Sequence, residues 1–298
     1  MKRIKLYIYQ LEDNIRYFSR RFANPVKIVS QVYKERMGHE LNLEAPQTYN
    51  EKLQWMKLFY HNPLYTTLVD KYAVKQYVEE RIGKEYLIPT IGVWDRFDDI
   101  DFEKLPQQFV LKCTHDSGGL VICKDKSKLD VQKARETITK CLKHNFYYSG
   151  FEWPYKNVKP RIIAEKYMED TKTKELRDYK FFCFDGVVKY LFIATDRQNR
   201  EEPYFDFFDA DFNYLDMRQG HPNAPTLPEK PLSFEEMKAL AAKLSAGMPH
   251  VRVDFYEVDG KVYFGEFTFF HHGGWTPFDP EEWDLKFGKE IKLPSKLV

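Results

Sequence analysis

The sequence predicts an α+β protein of two lobes built on mostly antiparallel sheets. Three observations lead there. Two Asp-Gly pairs sit between apolar runs, amphipathic helical patterns gather in the first 70 residues, and aromatics reach 16%, a share that suits thick β packing. With 298 residues, 43% of them hydrophobic, the chain can bury a large core. A net charge of +1 creates no overall field that demands a nucleic acid or a membrane as partner. Cys113, Cys123, Cys141 and Cys183 show no CxxC spacing and lie mostly in apolar runs, as reduced, buried thiols of a cytoplasmic protein do.

The elements follow in chain order. No run of about 18 apolar residues is present, and Gln10, Glu12, Asp13 and Asn14 interrupt the apolar residues near the start, so neither a membrane span nor a signal peptide is expected. Residues 1–22 carry Lys2, Arg3, Lys5, Arg16, Arg20 and Arg21 against Glu12 and Asp13, interleaved with Tyr7, Tyr9, Ile15, Tyr17 and Phe18. This suits an amphipathic flap; peripheral docking to an anionic membrane or an assembly partner is the alternative. Thr48-Tyr-Asn-Glu51 is a capping box opening a helix that Pro63 stops. "LVDKYAVKQYVEERIG" (68–83) reads as a second helix closed by Gly83.

Residues 1–69 are thus expected as a helical segment, 70–158 as a first lobe and 159–298 as a second. The first lobe holds an extended stretch at 86–97, strands at 107–113 and 120–125 around the small-residue loop "THDSGG", and a helix at 129–145. After an aromatic connection at 146–160, the second lobe opens with a strand at 161–168. "RDYKFFCF" and "VVKYLFIATD" form a hairpin through Asp185-Gly186, short strands fill 203–217, and a helix at 233–246 starts at a Ser233…Glu236 capping box. "VRVDFYEVDGKVYFGEFTF" (251–269) closes the lobe as a hairpin.

That last hairpin carries charges on a ribbon that is otherwise apolar. Strand side chains alternate, so Val251, Val253 and Phe255 face one side and Arg252 and Asp254 the other. A two-residue Asp259-Gly260 turn would throw Glu266 onto the face opposite Asp254. A three-residue connection with Gly260 left-handed keeps Arg252, Asp254, Glu266 and Thr268 together, and the apolar pattern predicts this register. Two converging carboxylates beside an arginine suit Mg²⁺ bridging phosphates, while a salt bridge on a solvated face is an equal alternative. Elsewhere, Lys112 points away from Phe109, Leu111 and Cys113 just before the loop containing Ser117, Gly118 and Gly119, whose amides suit phosphate, although such loops also make plain tight turns. Glu165-Lys166 interrupts a strand at the lobe junction, where an exposed backbone edge would read an adenine. Asp178 and Lys180 share one face of the following strand. Each of these charges also has a plain reading as an edge-strand charge.

Taken in order, lysine strand, glycine loop, hinge strand, Asp/Lys strand, Asp strand and Glu strand resemble the ATP-grasp fold. The stretch 40–288 resembles its TupA-like branch, associated with cell-surface polysaccharide synthesis, through "DKYAVKQYV", "VLKCTHDSGG", "DYKFFCFDG", "RVDFY", "GEFTF" and "FDPEEWD". The resemblance implies two lobes enclosing a nucleotide cleft, with ATP and Mg²⁺ as cofactors. It implies Lys112 and Lys166 on phosphate or adenine, Glu165, Tyr167 and Met168 as the adenine hinge, Asp178 on the ribose side, and Ser117, Gly118 and Gly119 as a mobile phosphate loop. Asp254 and Glu266 would hold Mg²⁺, and Arg252 would clamp the transferred phosphoryl group with Lys180 nearby. Thr268 stands where many ATP-grasp ligases carry asparagine as a third metal contact and replaces it only in part.

The implied activity is carboxylate–amine ligation through an acyl phosphate, joining an amino acid or peptide to a uronic-acid-type sugar. A sugar kinase, a nucleotide-sugar glycosyltransferase using Asp209-x-Asp211, and a non-catalytic nucleotide-binding assembly subunit are the rivals. "HHGGW" (271–275) has no counterpart in the resemblance; His271 or His272 would contact substrate or act as a base, though loop histidines more often do neither. The N-terminal segment looks too helical for the Rossmann-like substrate lobe that many relatives carry.

Overall fold

The computed structural model describes residues 19–116, 118–196 and 202–298. Ser117 and most of the basic N-terminal segment, including Lys2, Arg3, Lys5 and Arg16, lie outside these residues.

Two antiparallel sheets organise the chain. The smaller runs β1 (Thr90–Trp94), β4 (Ile162–Lys166), β2 (Phe109–Cys113) and β3 (Leu120–Cys123) in spatial order. Phe109, Leu111, Cys113, Ile162 and Ala164 pack with Ala134 and Ile138 of the Val131–Leu142 helix. Strand alternation puts Val110, Lys112, Leu120, Ile122 and Glu165 on the other face, where Leu120 and Ile122 remain 48% and 44% exposed. An apolar surface left open beside a lysine and a glutamate is a feature a purely structural sheet would cover.

The larger sheet runs β11 (Lys261–Thr268), β10 (Val251–Val258), β5 (Asp178–Phe184), β6 (Val187–Thr195), β7 (Tyr204–Asp209) and β8 (Tyr214–Leu215). Phe181, Val253 and Phe255 share the main core with Phe234, Met237 and Ala241 of the Phe234–Ser245 helix. The Tyr49–Phe59 helix joins the same core through Tyr49, Leu53 and Met56, so the helical segment packs on the larger sheet. A two-strand pair, β9 (Arg218–Gln219) with β12 (Phe278–Asp279), adds a small flank.

Several expectations need correction. β4 pairs with β1 and β2, so the chain leaves the first sheet after Lys166 and not near residue 158. The helix expected over 68–83 is two, Leu64–Val69 and Val74–Ile82. The break falls at Asp70, whose carboxylate accepts from the Tyr72 and Ala73 amides at 2.8 and 3.2 Å and from Arg161 at 2.6 Å. The Thr48 capping box forms, but Ser233 makes no side-chain cap, and its amide instead donates to Glu257 at 2.8 Å. Both Asp-Gly connections are two-residue turns with each central residue left-handed: φ is 48° and 80° at Asp185-Gly186, and 50° and 75° at Asp259-Gly260.

The final hairpin therefore does not use the three-residue turn. Val258 pairs with Lys261 across the tight turn, and Gly265 forms a bulge between the Phe255–Phe264 and Asp254–Glu266 pairs. The bulge makes the one-residue correction that the turn leaves undone, and Asp254 faces Glu266 directly. A side chain at 265 would sit 3.1 Å from the Asp254 carbonyl oxygen, which explains glycine there. All four cysteines are free and buried. Among the described residues no helix is long and apolar enough to cross a membrane.

Candidate active site

The hairpin register and the β10–β5 register together build one charged face. Lys180, Asp254 and Glu266 form a row across β5, β10 and β11, and Phe182, Arg252 and Thr268 form the next row. Asp254 is fully buried, yet both its oxygens are engaged. Arg252 donates to them through Nε and Nη2, each at 2.7 Å, and Lys180 adds a further hydrogen bond. Burial opposes ionisation of Asp254, but Arg252 and then Lys180 outweigh it and its pKa is lowered. Lys180 is pulled the other way by burial, partly offset by Asp254, and its pKa is lowered. It also lies 3.6 Å from Asp178, which is buried at the start of β5.

Arg252 is the hub. Beyond Asp254, its Nη2 donates to the Thr268 hydroxyl at 2.9 Å and lies 3.8 Å from Glu266, and its Nη1 donates to His271 Nδ1 at 2.5 Å. Burial, His272 and Arg252 drive the His271 pKa well below normal, so the imidazole is neutral and free to accept. The donor set fits a hard divalent cation: two opposed carboxylates, one of them, Glu266, with a 45% exposed side chain. An ion here would share Asp254 with Arg252 and Lys180, while Glu266 meets it from the open side.

The small sheet supplies a second cluster. Glu165 is buried between Lys112, 2.7 Å from Oε2, and Lys75, 2.5 Å from Oε1. Burial alone would raise the Glu165 pKa; Lys112 and Lys75 reverse this and lower it. Glu165 does not lie on an exposed edge, because β4 is laddered to β1 and β2 on both sides. The free backbone begins beyond Lys166, whose amide donates to Pro89 at 3.0 Å. Lys166 itself is exposed, Met168 is buried against Ile88 and Val258, and the Tyr167 hydroxyl donates to Glu169 at 2.5 Å.

The loop between β2 and β3 is held at its base. His115 Nε2 bonds the Cys141 and His144 carbonyls at 3.2 and 3.0 Å, and the Gly118 amide donates to Asp116 Oδ1 at 3.0 Å. Lys71 reaches the Asp116 carbonyl at 2.8 Å. A side chain at Gly119 would come within 2.5 Å of both the Cys113 and Cys141 sulfurs, so only glycine fits. Burial, then Glu152, Glu266 and Asp116, raise the Tyr155 pKa well above normal.

The structure brings Arg252, Asp254, Glu266, Thr268 and Lys180 together as one cluster, and Lys112 with Glu165 as another. Ser117 lies outside the described residues. Lys75 and Lys71 were missed, although both stand in "DKYAVKQYV"; Lys71 lies in the turn between the two helices and Lys75 at the start of the second, and they reach different partners, Asp116 and Glu165. Lys57 was missed too. Burial lowers its pKa to about 7, and it donates to the Gly273 carbonyl at 2.6 Å and lies 3.8 Å from the Trp275 ring centroid, pinning the turn after β11. Asp209 closes the β7–β8 turn: its Oδ1 accepts from the Asp211 and Asn213 amides and its Oδ2 from the Asn213 side chain, each at 2.9 Å. Such a carboxylate is ill placed to ligate a sugar diphosphate's metal.

The family model described as TupA-like ATPgrasp matches residues 51–292. Solved structures similar to the chain include a D-alanine–D-alanine ligase from Bacillus anthracis complexed with ATP, at 16% identity and a TM-score of 0.39, covering 68% of this chain and 53% of that one. A D-alanine–D-alanine ligase from Helicobacter pylori gives 14%, 0.41, 76% and 61%. A biotin carboxylase in complex with βγ-ATP from Campylobacter jejuni gives 13%, 0.43, 82% and 49%. The chain thus spans about half to six tenths of their lengths. No protein of curated function matches the sequence.

Proposed function

This chain belongs to the TupA-like ATP-grasp family, and from that premise we propose that it is an ATP- and Mg²⁺-dependent ligase joining a carboxylate to an amine through an acyl phosphate. The observation that carries the reading is the buried Arg252–Asp254–Lys180 cluster facing the half-exposed Glu266. Two cations, Arg252 and Lys180, stand among three carboxylates, Asp254, Glu266 and Asp178, which leaves one negative charge for a further cation, and the Glu266 side chain is 45% exposed.

In this reading Lys112 and Lys75, bridged by Glu165, meet the nucleotide's phosphates, while Leu120 and Ile122 form an apolar platform for the base. Tyr167 and Met168 supply backbone beyond the laddered strand, and Asp178 meets the ribose side. Asp254 and Glu266 would hold Mg²⁺, which supplies charge neutralisation on the phosphate oxygens when bound. Arg252 orients the phosphoryl group moving to the substrate carboxylate, and the loop at Gly118 and Gly119 excludes water from the acyl phosphate before the amine attacks. The neutral His271 fixes the Arg252 fork. The substrates we propose are an amino acid or peptide amine and a uronic-acid-type sugar of a surface polysaccharide.

The test is release of ADP and phosphate that depends on both an acid and an amine, with an amide detected by mass spectrometry. A stable phosphate ester in place of the amide would mean a kinase. Glu266→Gln, at a partly exposed position that leaves the core intact, should lower kcat at least about 100-fold; unchanged turnover would remove the metal assignment.

A further inference from the structure

A third group of chemistry-bearing side chains stands at the base of the β2–β3 loop, outside both charged clusters. A ring nitrogen of His115, a carboxylate oxygen of Asp116 and Cys141 Sγ all lie within 4.8 Å of one another. All three residues are buried, His115 at 2% exposure and Asp116 and Cys141 at 8% each. Their separation in sequence hides them. Cys141 sits near the end of the Val131–Leu142 helix, 25 residues after Asp116 and 26 after His115. No short motif joins them; the packing of that helix on the small sheet does.

The surrounding hydrogen bonds leave a ligand atom over at each residue. His115 Nε2 is 3.2 and 3.0 Å from the Cys141 and His144 carbonyls, two acceptors that hold the ring proton on this nitrogen. Nδ1 therefore carries the lone pair, and it is buried with no hydrogen-bond partner. A buried acceptor left in this state is costly. Histidines that ligate metals have the same arrangement, one nitrogen on the ion and the other donating to a carbonyl or carboxylate. Asp116 divides its oxygens in a similar way: Oδ1 accepts from the Gly118 amide at 3.0 Å, and Oδ2 lies 3.4 Å from Cys141 Sγ. A sulfur and an oxygen on one tetrahedral zinc stand about 3.6 Å apart. A thiol donating to Asp116 would satisfy Cys141 by itself, but it leaves His115 Nδ1 without a partner. The Cys113 sulfur is close as well, since a Cβ at Gly119 would meet both sulfurs at 2.5 Å, yet its thiol donates to the Ile138 carbonyl at 3.7 Å.

We propose that His115 Nδ1, Asp116 Oδ2 and Cys141 Sγ bind a divalent transition-metal ion of the zinc class, with water as the fourth ligand. One thiolate, one imidazole and one carboxylate select such an ion over Mg²⁺, which takes oxygen donors. On binding, the Cys141 thiol gives its proton to solvent and the sulfur shares its electron pair with the metal, and no electron is transferred. The ion ties the chain just after β2 to the last turn of the helix and, through Asp116 Oδ1, fixes the Gly118 amide. It is a clamp at the base of the glycine loop. The value of that clamp to ATP binding rests on the ligase reading; metal binding does not.

The experiment is dialysis of the reduced full chain against Zn²⁺ or Co²⁺ in excess Mg²⁺, with metal content read by mass spectrometry and the cobalt form by absorption. The chain should retain one equivalent of zinc, show a sulfur-to-cobalt charge-transfer band with tetrahedral ligand-field bands, and melt several degrees above the metal-free chain. Cys141→Ser should remove the charge-transfer band and Cys113→Ser should keep it. Asp116→Asn should weaken zinc binding at least about tenfold, and Glu266→Gln should leave it unchanged. No retained metal in the unmodified chain, a cobalt spectrum without sulfur ligation, a charge-transfer band that survives Cys141→Ser, or loss of zinc in Glu266→Gln would overturn the proposal. A chain that binds zinc in this way but forms no amide from ATP, acid and amine counts against the ligase reading alone.

Discussion

Asp254 stays ionised in the core because Arg252 and Lys180 replace the water it has lost. Removing it would leave two buried cations facing each other, so its loss damages fold and chemistry together, and Glu266 is the cleaner probe of the metal role. Lys75 also donates to the Ile88 carbonyl at 2.7 Å, so a melting curve is measured beside the kinetics of its variant. Lys75→Met leaves Glu165 its Lys112 partner and should raise the KM for ATP roughly tenfold, the value of one charged hydrogen bond, as steady-state kinetics would detect. His250 makes a pH prediction. Its ring bonds the Cys183 carbonyl at 3.0 Å and the Tyr49 hydroxyl at 2.9 Å, and burial lowers its pKa to about 3. The unfolded chain takes up this proton near pH 6.5 and the folded one only near 3, so stability falls as pH drops through that window. Urea titrations between pH 6 and 4 should show a slope about 1.4 kcal/mol per pH unit steeper than in His250→Gln.

At the scale of elements, the hairpin of β10 and β11 depends on two corrections that cancel. The tight Asp259-Gly260 turn alone would separate Asp254 from Glu266, and the Gly265 bulge restores them to one face. Gly265→Val should therefore force β11 away from the Asp254 carbonyl, cost about 1–3 kcal/mol in a denaturant titration and lower turnover more than stability alone explains. Much here was legible in sequence: the Asp185-Gly186 turn, the Thr48 cap and the alternation that put Arg252 and Asp254 on one side, whereas Glu266 reaches that side through a two-residue turn and a bulge in place of the expected three-residue connection. The bulge was not, because a lone glycine in a strand marks several structures and only the partner strand decides which. The Ser233 cap misled for a related reason: Glu257, 24 residues away in sequence, holds the Ser233 amide that a capping box would have bonded.

At the scale of the whole molecule, the two charged clusters stand on different sheets. A nucleotide spanning both should tie the sheets together. ATP with Mg²⁺ at 100 times its Kd should add about 2.7 kcal/mol of stability, read as a melting shift of several degrees. UDP-sugars should add none. A shift with UDP-sugar alone would favour glycosyl transfer instead.

The amino-acid order by itself determined most of the helices and strands, the Asp185-Gly186 turn and the shared face of Arg252 and Asp254, because these follow from local periodicity and turn chemistry. Tertiary structure alone decided that Lys75 pairs with Glu165 and that Arg252 links Asp254 to His271. Those contacts join residues far apart in the chain, and their energies depend on burial and distance, which no local pattern encodes.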